Sequence, residues 1–570
     1  MVIKMPYIQT QGRNQMMMCS LDSFVDSESI ARVIDAFVNG LDLETLGFEK
    51  TEAAKEGRPG YGPQYLLRLY LYGNQKSIRS SRKLAEACKI NVEAKWLMEG
   101  LEPDFRTISD FRKDNINCMK KVFHEFNHRL AKVLKKGFLS VDGSKFQANN
   151  AKDNNFTANK LDDRIQWLNQ HSDEYLRLIA DMDEAEDAQS GQFTKEELEE
   201  KLKEATERLE KYKGYLEYME KNGLSQISLT DADAKLMKNK NGFAVAYNVQ
   251  TAVDSETHLI DDYRLTNQPT DHGLLASTVT DERERREAIL EVVADKGYGV
   301  AEDMVECLEN GIIPHVILPA GQDTYELEKP YEEAEISEEK SGSATTTDIK
   351  ECLHAGIVPE VYSDVVESVE VVGKKVFVKE ETESVTNPYG SEEEMKEWAK
   401  EGYFVRDPER NLVYCPAGET LRQKSIKKNG DIRYANKLAC RHCKYRDRCY
   451  KGKNEWKEVD FNKDTLEKPN RSWIKETEGL EAPAKKSRKG HYEKQKVVKV
   501  ILKPDRQKMS QRLCLSEHPF GTMKRAMNAG YYLLCGKRKV DGETALICLG
   551  YNIRRALNLL GFQKMMEVMA

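Results

Sequence analysis

Acidic residues at the ends of apolar runs are the groups in this chain that chemistry would use first. GFLSVDGSKFQANN (137–150) reads as a strand ending in Asp-Gly, which puts Asp142 at a strand end. AILEVVADKGY (288–298) reads as a helix end running into a buried strand that stops at Asp295. In an α/β sheet, reactive groups gather at strand ends. Two carboxylates brought together there cannot both ionise cheaply, and a bound divalent cation resolves the conflict. Oxygen ligands select Mg2+ or Mn2+. Two such ions held about 3.5–4 Å apart activate a water or a 3′-hydroxyl and stabilise the leaving oxygen of a phosphodiester. Singly, each aspartate reads as an ordinary turn residue. Asp231, Asp233, Asp254, Asp261, Asp262 and Asp271 are decoys of the same kind.

A third acid strengthens the pattern. SEHPFGTMKRAMN (516–528) puts Glu517 on an expected helix with Lys524 seven residues later. Seven residues are nearly two turns, so the two side chains would share a face. Glu517 would complete the metal site and Lys524 would hold a DNA phosphate. The plain alternative is a solvent-facing Glu and Lys on a basic helix.

Four cysteines suggest a second metal. Cys415, Cys440, Cys443 and Cys449 fall within 35 residues, and CRHC is a CxxC knuckle. Four thiolates suit tetrahedral Zn2+, with His442 as a substitute ligand and free structural thiols as the alternative. The other eight of the twelve cysteines are scattered and read as core residues. No apolar h-region opens the chain and no run is long enough for a bilayer helix, so no membrane association and a reducing, cytoplasmic location are expected.

The elements that would carry these groups follow from periodicity and charge. Net charge is −7, but it is unevenly spread: 321–400 carries −13, 401–500 carries +11 and 501–570 carries +7. A basic last third is an electrostatic footprint for nucleic acid, with a plain solvated surface as the alternative. Residues 20–135 read as helices, and 77–100 as two short helices joined near Lys89–Asn91. With Arg79, Arg82 and Lys83 on one side, that pair is a helix-turn-helix candidate beside a plain bundle. Residues 160–221 read as two charged helices split near Gly191, an antiparallel hairpin. FAVAYNVQTAVDSETHLIDDYRLT (243–266) reads as a β-hairpin, 301–311 as a helix and 313–319 as a strand. Residues 320–400 read as a flexible acidic excursion with a small strand pair in 365–378, and Met509 onward as helices. No repeat and no Walker A loop occur, which argues against an ATP-driven helicase.

VDGSKFQANNAK, GFAVAYNVQTAVD, ADKGY and EHPFGTMKRAMNAGYYLLCG occur in that order. With GYGPQYLLRLYLYGNQKSIRSSRKLA, TISDFRKDN and the cysteine pattern CPAG…CRHCKYRDRC, the chain resembles DDE transposases of bacterial insertion sequences. The group it resembles is called insertion sequence eleven-eighty-two, and the likeness runs from about residue 20 to 565. The resemblance implies an α/β, ribonuclease-H-like (retroviral-integrase) catalytic core with Asp142, Asp295 and Glu517 as its three acids. It implies metal-assisted hydrolysis at the element ends, then attack of the freed 3′-hydroxyl on target DNA, with no covalent protein–DNA intermediate. Lys524 matches the lysine of the related Tyr-x2-Arg-x3-Glu-x6-Lys signature, but Ser510 stands at its Tyr position and Leu513 at its Arg position, with Arg512 one residue off. Lys524, Arg525 and Arg512 are the expected DNA contacts.

The organisation expected is an N-terminal helical DNA-binding domain (1–135) and catalytic-core parts at 136–152 and 231–320. A charged helical-hairpin insertion (153–230), an acidic linker (321–400) and a cysteine-rich, zinc-binding basic insertion (401–500) interrupt the core. A C-terminal helical part (501–570) returns Glu517 to the site. The expected partners are double-stranded DNA, as terminal repeats and target, and a second copy of the chain. The rivals are a decayed or domesticated transposase that binds DNA without cutting it, and a structural zinc protein on a coiled-coil scaffold.

Overall fold

The computed structural model describes residues 18–51, 60–184, 189–190, 193–239, 242–379, 391–408, 410–427, 431–449, 456–462, 470–471 and 490–570. The chain forms two compact units. One comprises Met1–Asn155, Ser228–Val372 and Val497–Ala570; the other comprises Phe156–Ile227 and Gly373–Lys496.

The first unit opens with helices α1 (Ile30–Asn39), α2 (Pro63–Gln75), α3 (Ser81–Ile90), α4 (Val92–Leu97), α5 (Phe105–Asn115) and α6 (Met119–Ala131). Side chains cap four of them: Ser29, Ser80, Asn91 and Asp104 accept from the first-turn amides of α1, α3, α4 and α5. Strands β1 (Leu139–Gln147), β2 (Lys235–Asn239), β3 (Gly242–Asp254) and β4 (Ile260–Thr266) follow. After them come α7 (Leu275–Arg286), β5 (Leu290–Ala294), α8 (Ala301–Glu309) and β6 (Ile312–Val316). Helices α9 (Arg506–Gly521) and α10 (Lys537–Met569) end the chain.

These strands form one mixed sheet. β1, β3 and β4 make an antiparallel meander; β5 joins the other edge of β1 in parallel, and β6 pairs with β5 in parallel. Residues of β5 and β6 are almost wholly buried, as parallel strands covered on both faces must be. Pro314 is tolerated because β6 lies at the sheet edge. This mixed α/β arrangement fits a ribonuclease-H-like core.

Three features depart from the sequence reading. First, the N-terminal helices are not a separate body. Phe37, Leu67, Tyr70 and Phe126 share one core with Tyr247, Tyr263, Leu546 and Leu549. The cause is α10, in which every residue from Gly542 to Ile553 is buried, so the helix needs neighbours on all sides. Second, residues 321–372 are not an extended linker. A strand at Tyr325–Pro330 pairs antiparallel with Val497–Leu502, and a helix at Thr346–His354 is capped by Thr345. The long strand Val366–Lys379 pairs with Gly490–Leu502 rather than within itself, since neighbouring strands need not be neighbours in sequence. Third, β1 does not end at Asp142-Gly143; it runs on to Gln147. Gly143 lies opposite Gln250, and a Cβ there would sit 2.3 Å from Gln250 Nε2 and 2.5 Å from Asp271 Oδ1. The glycine serves a close approach within a strand, not a turn.

In the second unit two helices of 27 residues, Ala158–Glu184 and Lys195–Lys221, pack against each other. Gly191, the expected break between them, lies outside the described residues. An antiparallel sheet built from Tyr403–Asp407, Leu412–Tyr414, Thr420–Ile426, Asp431–Ala435 and Glu458–Asn462 carries the cysteines. The two excursions expected as separate insertions thus belong to one unit.

Candidate active site

Register brings two of the three candidate acids together. Ser140 of β1 pairs with Val293 of β5, and two residues farther along each strand stand Asp142 and Asp295. Asp295 follows β5 and caps a short 3-10 turn, accepting from the Gly297 amide at 2.7 Å. Asp142 is largely buried, with 22% of its side chain exposed. Burial pushes its carboxyl up to about 6; Arg512 opposes the rise, and the charges of Asp295 and Asp271 add to it.

Helix α9 covers this end of the sheet. Asp505 caps its start, and the Asp505 amide donates to His315 Nδ1 at 3.0 Å. Lys508 and buried His315 both bind Glu291 of β5. Those contacts, the His315 hydrogen bond first, pull the Glu291 carboxyl down to about 2. Anchored this way, the helix turns Arg512 toward the sheet. Arg512 Nη1 lies 3.8 Å from Asp142 Oδ2, and its Nε is buried with no hydrogen-bond partner among the described residues. Four residues on, Ser516 meets Ser140, Oγ to Oγ at 3.4 Å.

Glu517 is exposed on α9. Among the described residues, no group of three or more His, Cys, Asp or Glu has an arrangement that could hold a metal. Glu517 and Lys524 do not sit on one α-helix either: Pro519 interrupts α9, and Thr522–Ala526 forms a π-turn that changes the helical phase. Lys524 Nζ turns inward instead, donating to Ser144 Oγ at 2.6 Å and to the Lys145 carbonyl at 2.8 Å over the Phe146 ring. Arg525 is exposed.

The chemistry of the donor set fits a divalent cation at Asp142 and Asp295. Two acids level on neighbouring strands, one of them hard to ionise in its buried position, lose that penalty when a cation is shared between them. The acid triad is not assembled.

The sequence reading named Arg82, in its helix-turn-helix candidate, but not the concave site on the N-terminal helices that joins it to Arg106 and Arg112. Ser80, Arg82, Phe105, Arg106, Arg112 and Leu533 line a cavity of about 460 Å³. Arg82 and Arg106 stack on Phe105, Arg112 stacks on Tyr70, and none of the three arginines has an ion-pair partner among the described residues. The arginines come from two helices, so no local spacing marks them.

In the second unit Cys415, Cys440, Cys443 and Cys449 line one small cavity, while His442 is exposed. Burial pushes the Cys415 thiol up to about 12, and the other three sulfurs add to the rise. The thiols share a cavity wall without being drawn into metal-holding geometry. No helix among the described residues is long and apolar enough to cross a membrane.

Residues 19–114 match the Transposase domain (DUF772), and residues 224–385 match the Transposase DDE domain. The second match takes in Asp295 and begins after Asp142. No curated protein and no solved structure matches. Two transposase domains thus fall on the chain in order, the second over much of a sheet that carries paired acids, and the chain is a DDE transposase of an insertion sequence, an enzyme that acts on DNA.

Proposed function

We propose that the chain cuts the ends of its element with Asp142, Asp295 and Glu517 as the acids and joins the freed 3′-hydroxyls to target DNA. DDE transposases generally use divalent ions such as Mg2+, and here Asp142 and Asp295 would hold the Mg2+ or Mn2+. The chemistry such ions supply is activation of a water or a 3′-hydroxyl and stabilisation of the leaving oxygen. The observation that carries this reading is the level placement of Asp142 and Asp295 on parallel β1 and β5.

The chain's own residues prepare that site. Arg512 balances the Asp142 charge from 3.8 Å away. Lys524 pins β1 just past Asp142, so it acts as a positioning residue rather than as the phosphate contact expected from spacing. Glu517, on the helix that delivers Arg512, would be the third acid. Arg82, Arg106 and Arg112 contact phosphates of the element end, and exposed Arg525 adds a further contact. Cys415, Cys440, Cys443 and Cys449, which line one cavity, would hold Zn2+ as thiolates. Two copies act together, because an element has two ends. The ordered motifs favour the insertion sequence eleven-eighty-two group.

Strand cleavage and joining on a fragment carrying the element's own ends tests this reading. Wild type in Mg2+ nicks and joins; EDTA and Asp295→Asn each abolish both steps. Binding without cleavage by the wild type in Mg2+ or Mn2+ would instead identify a decayed copy.

A further inference from the structure

Asp271 lies in the loop between β4 and α7, with 26% of its side chain exposed. One oxygen, Oδ1, accepts from three side chains: Asn248 Nδ2 at 2.7 Å, Gln250 Nε2 at 2.7 Å and Lys145 Nζ at 3.2 Å. Asn248 and Gln250 stand on β3, directly across from Lys145 and Gly143 of β1. The carboxylate therefore ties together the two strands at the level of Asp142. Space for it exists only because residue 143 is glycine: an added Cβ would come within 2.5 Å of Asp271 Oδ1.

The connection continues toward the second acid. The Gln250 amide is bound at both ends, Nε2 to Asp271 and Oε1 to the hydroxyl of fully buried Tyr298. Tyr298 ends the short turn that Asp295 begins. A continuous path of hydrogen bonds thus runs from β1 beside Asp142, through Asp271 and Gln250, to the turn that holds Asp295.

The other five aspartates of similar sequence setting do different work. Asp254 closes its own turn through the Glu256 and Thr257 amides. Asp261 and Asp262 pair with Arg286 and Arg285 of α7. Asp231 accepts from Tyr247 and the Gly536 amide, and Asp233 from the Lys537 amide. Of the six, Asp271 is the one that reaches both β1 and β3 beside Asp142.

We propose that Asp271 is a positioning residue for the metal site: it fixes, through Gln250 and Tyr298, the spacing between Asp142 and Asp295. The proposal rests on the reading that these two acids hold a divalent cation. Supports behind metal-binding carboxylates orient them, and losing one costs about 10–100-fold in metal affinity. Removing Asp271 also leaves the Asn248 and Gln250 amides short of an acceptor, which frees both strands to shift.

The test is Mn2+ binding to the purified full chain without DNA, followed by the spin-resonance signal of free Mn2+. Binding of an element-end duplex in EDTA is measured alongside. Asp271→Ala should weaken Mn2+ binding about tenfold, at the lower end of outer-shell losses, and leave duplex binding unchanged. Asp271→Asn keeps an oxygen acceptor and should lose less. Tyr298→Phe should weaken Mn2+ binding in the same direction. Because both residues act through Gln250, the double variant should be no weaker than the weaker single one. Unchanged Mn2+ affinity in Asp271→Ala, or fully additive losses in the double variant, would overturn the proposal. If Asp271→Ala does not fold, Asp271→Asn and Tyr298→Phe decide it, and unchanged affinity in both overturns it. Asp142→Asn separates the two levels. Mn2+ binding that survives this change overturns the metal reading and the clamp with it. Loss of binding there, with Asp271→Ala unaffected, overturns the clamp alone.

Discussion

Arg512 reaches to 3.8 Å from the Asp142 carboxylate, while Leu513, at the arginine position of the family signature, is 57% exposed. Helix phase decides which of the two neighbours meets the sheet, and the Lys508–Glu291–His315 contacts set that phase. The one-residue departure from the signature therefore leaves a guanidinium at the acids. Arg512→Lys keeps the charge but loses the planar fork, and should slow end cleavage about tenfold, the order expected for one charge-assisted hydrogen bond. Arg512→Ala should cost more, and adding Leu513→Arg should not restore activity. Cleavage rates with thermal melting as a folding control check this; rescue by the arginine at 513 would show that the helix phase is wrong.

Burial of Asp142 gives the fold a pH dependence. Its carboxyl is raised from 3.8 to about 6, burial being the largest cause. The folded chain therefore holds this proton more tightly than the unfolded chain does. The favourable contribution is complete below about 3.8 and is lost as pH rises to about 6, a change of about 3 kcal/mol. Without metal, Asp142→Asn should melt higher than wild type at pH 7.5, and the difference should vanish near pH 4. Mn2+ should raise the melting temperature of wild type and not of the variant. A variant that melts lower than wild type at pH 7.5 would show that the Arg512 pairing outweighs burial.

Much of the core was legible because its signals are local. The hairpin of β3 and β4, the strand before Asp295 and the α8–β6 pair follow from alternation and turn residues over a few positions. What stayed hidden depends on residues far apart in sequence. Asp142-Gly143 looks like a strand end until Gln250 and Asp271 are seen filling the space beside the glycine. Residues 325–330 look like a linker because their partners lie at 497–502. Glu517 and Lys524 share a face only on a regular α-helix, and Pro519 with the π-turn removes that regularity. Asp271 carries no mark of its own, since its partners come from two strands.

The arginine cavity predicts a change in salt dependence. Arg82 and Arg106 line it from α3 and α5 without ion-pair partners among the described residues. Each phosphate contact releases counterions, so losing one lowers the slope of log affinity against log salt by about 1. Arg82→Ala and Arg106→Ala should each show that drop on an element-end duplex, with weaker binding at low salt. Arg112 is a poorer probe, because its stacking on Tyr70 also supports the core. Slopes equal to wild type in both variants would remove this cavity from the DNA path.

The cysteine cluster predicts a metal whose loss is confined to one unit. Cys415, Cys440, Cys443 and Cys449 line one cavity, and the Cys415 thiol is pushed up to about 12 by burial. Zn2+ can bind only by displacing protons, so its uptake should release protons and its affinity should rise with pH. The purified chain should carry about one zinc, the number one four-thiolate site takes. Cys440→Ser with Cys443→Ser should abolish it. Because Asp142 and Asp295 belong to the other compact unit, the serine variant should bind Mn2+ as wild type does. Elemental analysis and the Mn2+ titration check both halves. A metal-free wild type would mean that the four sulfurs are core thiols, held together by the apolar cluster of Phe404, Val413, Tyr434 and Phe461.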